Sequence, residues 1–257
     1  MAWREGAPSR DTAGMTAGMD ASGTTPPAGE LGLLEGLATT RAIRRYTDRP
    51  VTDAELATIM WSATRAPSGS NRQPFRFLVL RDGERAALAR ALIARAAEQM
   101  WGSKSEADGY RSGSGTDPSS PKARMARAMQ HYTDHVAEAP AIILACLVRH
   151  RPPTPLEGAS VYPACQNLLL AARAVGLGGV LTQLHTFVED DLRDVLGIPP
   201  DVGIHATITV GEPAGRHGPV RRRPLAELVF EDGWGLSPTW AVDPPGTRYT
   251  QAGPPAG

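Results

Sequence analysis

Two short arginine clusters carry the strongest chemical signal in the sequence. Arg41 and Arg44 stand three apart in Arg41-Ala42-Ile43-Arg44-Arg45-Tyr46. On a helical end or turn, residues at that spacing share a face, so two guanidinium forks could converge on one anion. Arg221-Arg222-Arg223-Pro224 is a second candidate anion contact. A solvated basic surface would carry the same residues in either place. The stretch from Ala66 to Phe75 gathers Pro67, Ser68, Gly69 and Ser70 with two amides, Asn71 and Gln73, just ahead of an apolar run. Such a loop could present N–H groups, an amide and a hydroxyl to a flat heteroaromatic ring, or it could be an ordinary rigid turn. Gly178-Gly179 would let the backbone approach a ligand closely, or would simply end the preceding helix.

Other chemistries find no support. No Gly-x-Gly-x-x-Gly follows a strand, and neither a P-loop nor a Gly-x-Ser-x-Gly elbow occurs. Six histidines lack metal-ligand spacing. His131 and His135 are four apart without a third ligand, and His205 reads as a core histidine on a strand. No metal site is expected. Cys146 and Cys165 lie in apolar runs and read as buried free thiols. Lys plus Arg and Asp plus Glu are both 27, so the net charge is zero, which gives no reason to expect nucleic acid or an acidic membrane as partner. Local clusters without a global excess suit a small anionic ligand. Without a signal-like apolar run or a spanning stretch, the expectation is a soluble, cytoplasmic protein.

The elements that must position these residues follow from periodicity. Residues 1–30, rich in small residues and proline, read as a flexible N-terminal extension. Residues 31–257 read as one domain of an α+β fold. A helical apolar pattern starts at Leu31, Leu33, Leu34 and Leu37. Thr52 three before Glu55 is a capping box that opens a second helix. Phe75–Leu80 reads as a strand and 84–100 as a helix. Residues 101–121 form a long polar loop, the first part of a lid insertion over 101–135, with a helix carrying Met125, Met129 and Tyr132 behind it. Residues 141–148 read as a central strand, 161–175 as a buried helix, 187–196 as a short amphipathic helix and Ile204–Val210 as an alternating strand. Residues 231–257, with Trp234 and Trp240, read as an extended tail that packs on its own domain or on a partner.

In this order the segments resemble the nitroreductase family of FMN enzymes over roughly residues 35–230. The matching text is Arg41 to Tyr46 with Pro50-Val51, Ala66 to Phe75, Gln166-Asn167-Leu168-Leu169-Leu170-Ala171-Ala172, Gly176-Leu177-Gly178-Gly179, Leu192 to Pro199, Gly211-Glu212-Pro213 and Arg222-Arg223-Pro224-Leu225. The resemblance implies a central mixed, mostly antiparallel sheet surrounded by helices, in an intertwined homodimer with two FMN sites at its interface. It implies that Arg41, Ala42 (by its backbone) and Arg44 hold the phosphate with Arg222 or Arg223. Pro67, Ser68 and Gly69 of the other subunit would face the ring, and Asn71 would touch it or brace the loop. Gly178 and Gly179 would bring a backbone N–H near the reactive flavin nitrogen, with Thr182 close by. NAD(P)H would be the electron donor, in ping-pong alternation with a planar aromatic acceptor such as a nitroaromatic or quinone. Trp101, Tyr110 and Arg111 in the lid are the candidate substrate contacts, and no catalytic side chain is assigned. Alternatives are a dehydrogenase or oxidase of the same fold, a reductive dehalogenase, and a non-enzymatic flavin-binding protein. Glu106 and Tyr110 echo part of the dehalogenase lid set, with Lys122 too near in sequence to complete it.

Overall fold

The computed structural model describes residues 31–250; the expectations for residues 1–30 and 251–257 lie outside them. In chain order the elements are α1 (Leu33–Thr39), α2 (Asp53–Ala63), β1 (Phe75–Leu80), α3 (Glu84–Ala107), α4 (Pro121–His135), β2 (Ala141–Val148), α5 (Tyr162–Ala174), β3 (Gly178–Thr182), α6 (Glu189–Leu196), β4 (Val202–Gly211), β5 (Arg221–Arg222) and β6 (Arg248–Tyr249). The four longer strands form one antiparallel sheet in the order β1-β2-β4-β3, and β5 pairs with β6 in parallel.

Helices cover both faces of this sheet, which is why β2 is apolar at every position rather than alternating. Ile142, Leu144 and Cys146 pack with Ile93, Ala97, Tyr132 and Leu192 of α3, α4 and α6. Ala141, Ile143, Ala145 and Leu147 pack with Ile59, Cys165 and Leu168 of α2 and α5. The capping box on α2 is complete: the Glu55 N–H donates to Thr52 Oγ1 and the Thr52 N–H to Glu55 Oε2.

Two expectations change. First, α3 continues to Ala107, so Trp101 lies on a helix and is buried rather than displayed on a loop. Residues 98–107 are mostly good helix formers. Burying Trp101 and Ser105 against α4 outweighs the roughly 1 kcal/mol cost of Gly102. Between α3 and α4 only residues 108–120 remain, and a short 3-10 turn occupies Gly113–Thr116. Second, β4 does not alternate cleanly. Ala145 pairs with Ala206 and Cys146 with Ile204, which leaves His205 as the extra residue of a β-bulge. The bulge turns Ile204 toward the α3 side and Ala206 toward the α5 side.

Candidate functional site

Residues 40–46 contain no helix. Their backbone is clamped as an extended segment: the Ile43 N–H donates to the Gly179 carbonyl at 3.0 Å, Ala214 N–H to the Arg45 carbonyl at 3.0 Å, and Thr47 N–H to the Glu212 carbonyl at 2.9 Å. The three-residue spacing of Arg41 and Arg44 is therefore not a helical face. Ile43 points into the core, Arg41 and Ala42 are exposed and Arg44 is half-buried. The arginine run is brought to the same corner, because Val220 N–H donates to the Ala38 carbonyl at 2.9 Å, one residue before β5 begins. Arg222 and Arg223 are exposed there. Arg222 Nη1 donates to the Arg221 carbonyl, and Arg223 pairs with Glu227 in an exposed ion pair of little strength.

Both glycines of the pair are required by packing within the chain. A Cβ on Gly178 would lie 2.5 Å from Ile43 Cγ1 and 3.0 Å from His217 Nε2; one on Gly179 would lie 2.5 Å from the Thr209 carbonyl. His217, unassigned from sequence, donates from Nε2 to the Leu177 carbonyl at 3.0 Å. Burial lowers its pKa against the pull of that bond, and Arg173 and Arg41 lower it further. Thr40 Oγ1, Arg173 Nε and His217 Nδ1 are buried without hydrogen-bond partners among the described residues. Unsatisfied buried polar atoms are rare. Neutral His217, protonated on Nε2, leaves Nδ1 as an acceptor, so the donors a phosphate would need at this corner are Thr40 Oγ1, Arg173 Nε and the neighbouring Arg41.

Beneath the corner runs a polar seam that sequence patterns did not reveal. Thr207 and Thr209 are fully buried on β4. The Tyr46 hydroxyl donates to the Ile43 carbonyl at 2.7 Å and lies 2.8 Å from Thr209 Oγ1, which is also 3.2 Å from the Tyr132 hydroxyl of α4. Thr182 Oγ1 donates to the Thr207 carbonyl at 2.9 Å. Burial raises the pKa of both phenols, partly opposed by Thr209 and Arg44, so both stay protonated as hydrogen-bonding groups. The seam joins the arginine segment, the end of β3 and the lid helix.

The loop before β1 is built differently. Ser70, Asn71 and Gln73 have φ of 53°, 50° and 48°, the left-handed region that non-glycine residues rarely occupy. Side-chain bonds hold it there: Gln73 N–H donates to Ser68 Oγ at 2.8 Å and Gln73 Nε2 to Asn71 Oδ1 at 3.1 Å. Pro67, Gly69 and Asn71 are exposed, Ser68 half so. A Cβ on Gly69 would meet only Ser160 Oγ, at 3.9 Å, so the chain's own packing does not demand glycine there.

In one chain these two regions do not meet. Gly178 pairs with Gly211 at one end of edge strand β3, whereas Phe75 pairs with Leu147 at the other end of the opposite edge strand. Three strand spacings across and seven residues along place them roughly 25 Å apart. The lid candidates do meet: Trp101, Tyr110 and Arg111 share one small cavity. Lys122 Nζ lies 5.7 Å from the Tyr110 ring, so its nearness in sequence is no obstacle to contact, while Glu106 is exposed and does not line the cavity.

The sequence profile of the nitroreductase family matches residues 37–212, which contain the 40–46 segment, the strained loop and the glycine pair. The chain belongs to the nitroreductase family. Among relatives of this nitroreductase family member, a Thermus thermophilus protein named NADH dehydrogenase is 30% identical over 204 residues, covering 74% of this chain and 91% of the relative. A Desulfovibrio desulfuricans protein solved in complex with FMN is 30% identical with a TM-score of 0.57, covering 78% of this chain and 96% of that one. The FMN and NADPH-dependent nitroreductase of Sphigopyxis sp. strain HMH is 26% identical with a TM-score of 0.60, covering 79% and 100%. As a family member the chain is an oxidoreductase of the FMN-dependent type.

Proposed function

We propose that this nitroreductase holds FMN in two equivalent sites of a homodimer, accepts hydride from NAD(P)H and passes electrons to a planar aromatic acceptor such as a nitroaromatic or quinone. The observation that carries the reading is the split of the site: an anion-ready corner at Gly178, and a rigid, exposed loop with room at Gly69, at opposite corners of one sheet. A second copy would bring its own loop to the first copy's corner. FMN, when bound, supplies the redox chemistry, and the chain supplies position and charge. Arg41 and Arg44 would neutralise the phosphate, aided by Thr40 and Arg173 and by Arg222 or Arg223. Pro67, Ser68, Gly69 and Asn71 would hold the ring from the other copy, with Thr182 at its near edge.

The cysteines take no part. Both are buried, and burial pushes Cys146 up to about 11 and Cys165 up to about 12, so neither is a thiolate nucleophile at neutral pH. Apolar side chains left exposed support the dimer. Leu33 and Leu34 on α1, Trp61 on α2, and Trp234 and Trp240 near the C-terminus all stand more than half exposed in the single chain.

The test is direct. The purified chain should bind FMN and sediment as a dimer. Under anaerobic stopped flow, NADH or NADPH should bleach the flavin, and a nitroaromatic or quinone should restore its colour. A protein that fails to take up FMN, or whose bound flavin neither nucleotide reduces, overturns the reading.

A further inference from the structure

Between α3 and α4 lies a solvent-open cavity of about 190 Å3 whose lining includes Trp101, Tyr110, Arg111, Arg127 and Gln130. We propose that this cavity recognises an anionic group on a planar aromatic molecule. The inference rests on the proposed function and narrows its substrate class.

The charge in the cavity is of one sign. Among the described residues, Arg111 and Arg127 are its only charged lining residues, and no carboxylate lines it. Lys122, over the Tyr110 ring, adds a third positive charge nearby. Of the nearby carboxylates, Asp108 pairs with Lys104 Nζ at 2.6 Å, and Asp134, outside the lining, accepts from Nε2 of the lining residue Gln130 at 2.8 Å. Like charges brought together without a counter-ion repel, and an anion between them reverses the sign of that energy. The remaining wall combines the Trp101 and Tyr110 rings with Ala126, Ser105, whose hydroxyl donates to the Gly102 carbonyl at 3.0 Å, and Gln130, whose Nε2 donates to Asp134. The Trp101 and Tyr110 rings lie 5.2 Å apart at 52°, and the indole N–H is already spent on Gln130 Oε1 at 2.9 Å. Polar recognition therefore falls to the guanidinium groups.

The Arg127 guanidinium and the backbone of the turn before Arg111 are also held in place. Arg127 Nη2 donates to the Pro118 carbonyl at 3.0 Å, and Tyr110 N–H to the Ser105 carbonyl at 2.9 Å. A side chain at Gly115 would run into the Tyr110 carbonyl, so the turn bearing Arg111 is tightly folded. Arg127 precedes Tyr132 by five residues on α4, about 7.5 Å along the axis and about 140° around it. The same helix therefore carries the cavity wall on one side and, on another, the seam that Tyr132 joins beneath the arginine segment.

The anion could be a substituent of the acceptor or a phosphate of the electron donor, and one set of variants separates them. Calorimetry on the FMN-loaded dimer would compare 4-nitrobenzoate with its neutral counterpart 4-nitrobenzamide, in wild type, Arg111→Gln and Arg127→Gln. The KM ratio of NADPH to NADH would be measured in the same proteins. A carboxylate preference of about tenfold, the scale of one charge-assisted hydrogen bond, that disappears in both variants supports the inference with the acceptor as source. A preference for NADPH that disappears in them supports it with the donor as source. Equal binding of the two nitro compounds together with an unchanged nucleotide ratio overturns it. Carboxylate preference without turnover would count against the reductase reading and leave the anion site standing.

Discussion

At the scale of single residues, glycine shows how one residue type carries two meanings. Gly178 and Gly69 both stood out in the sequence as places where backbone could approach a ligand. The structure separates them, since Gly178 is closed over by Ile43 and His217 while a side chain on Gly69 would meet only Ser160 Oγ, at an ordinary contact distance, among the described residues. Gly178→Ala should therefore cost about 1–3 kcal/mol by overpacking, and should weaken FMN binding by displacing the segment that carries Arg41 and Arg44. Gly69→Ala should leave stability nearly unchanged yet weaken FMN. Thermal melts of the FMN-free protein and flavin titrations would check both, and full FMN affinity in Gly69→Ala would remove the loop from the site. Buried His185 gives a second test. Burial pushes its pKa down to about 4, against the pull of Glu189. Below the ordinary histidine value of 6.5 the unfolded chain gains a proton that the folded chain refuses, so stability falls as pH drops from 6.5 toward 4. At pH 5 the loss is about 2 kcal/mol. His185→Gln should flatten this part of the profile in urea unfolding at pH 7 and pH 5, and parallel profiles would refute the assignment. His185 and His217 were not legible beforehand, because a lone histidine acquires meaning only from what covers it.

Elements were read more easily than their couplings. Thr52 and Glu55 announce α2 because a capping box is local chemistry, and the unbroken apolar run of β2 announces a strand covered on both faces. The end of α3 was missed because burial of Trp101 by α4, a tertiary effect, overrides the signal of Gly102. The bulge at His205 was missed because register depends on the partner strand. The polar seam was missed for the same reason: Tyr46, Tyr132, Thr182 and Thr209 come from four distant stretches. Yet this seam is where α4 is fastened to the arginine segment. Tyr132→Phe keeps the ring and deletes the hydroxyl near Thr209, for a loss of about 1 kcal/mol in stability. Its larger effect should be functional, with KM for the aromatic acceptor raised while reduction of bound flavin by the nucleotide is unchanged, because α4 carries the cavity wall. Stopped-flow and steady-state kinetics on one preparation would distinguish these steps. Equal slowing of both would mean that the hydroxyl only supports the core.

At the scale of the molecule, the proposed site draws on two corners of the sheet that lie too far apart for one chain to complete it. Its order puts β1 and β3 on opposite edges, and its register puts the strained loop and the glycine pair at opposite ends. A closed twofold dimer presents the same surfaces from both copies, so each loop can complete the other copy's corner. This makes a prediction that no single-chain site shares. Arg44→Gln disables a corner, and Gly69→Trp fills the space beside a loop, so each variant alone should have two defective sites. In a heterodimer of the two, one site combines both defects, while the other takes its corner from the Gly69→Trp chain and its loop from the Arg44→Gln chain, and both of those are intact. Unfolding and refolding the variants together in equal amounts gives about half heterodimers by random pairing, hence about a quarter of wild-type FMN binding and nucleotide-driven flavin reduction. Each variant refolded alone should remain near its own baseline. Were the site contained within one chain, mixing would only average two defective proteins and nothing would be regained.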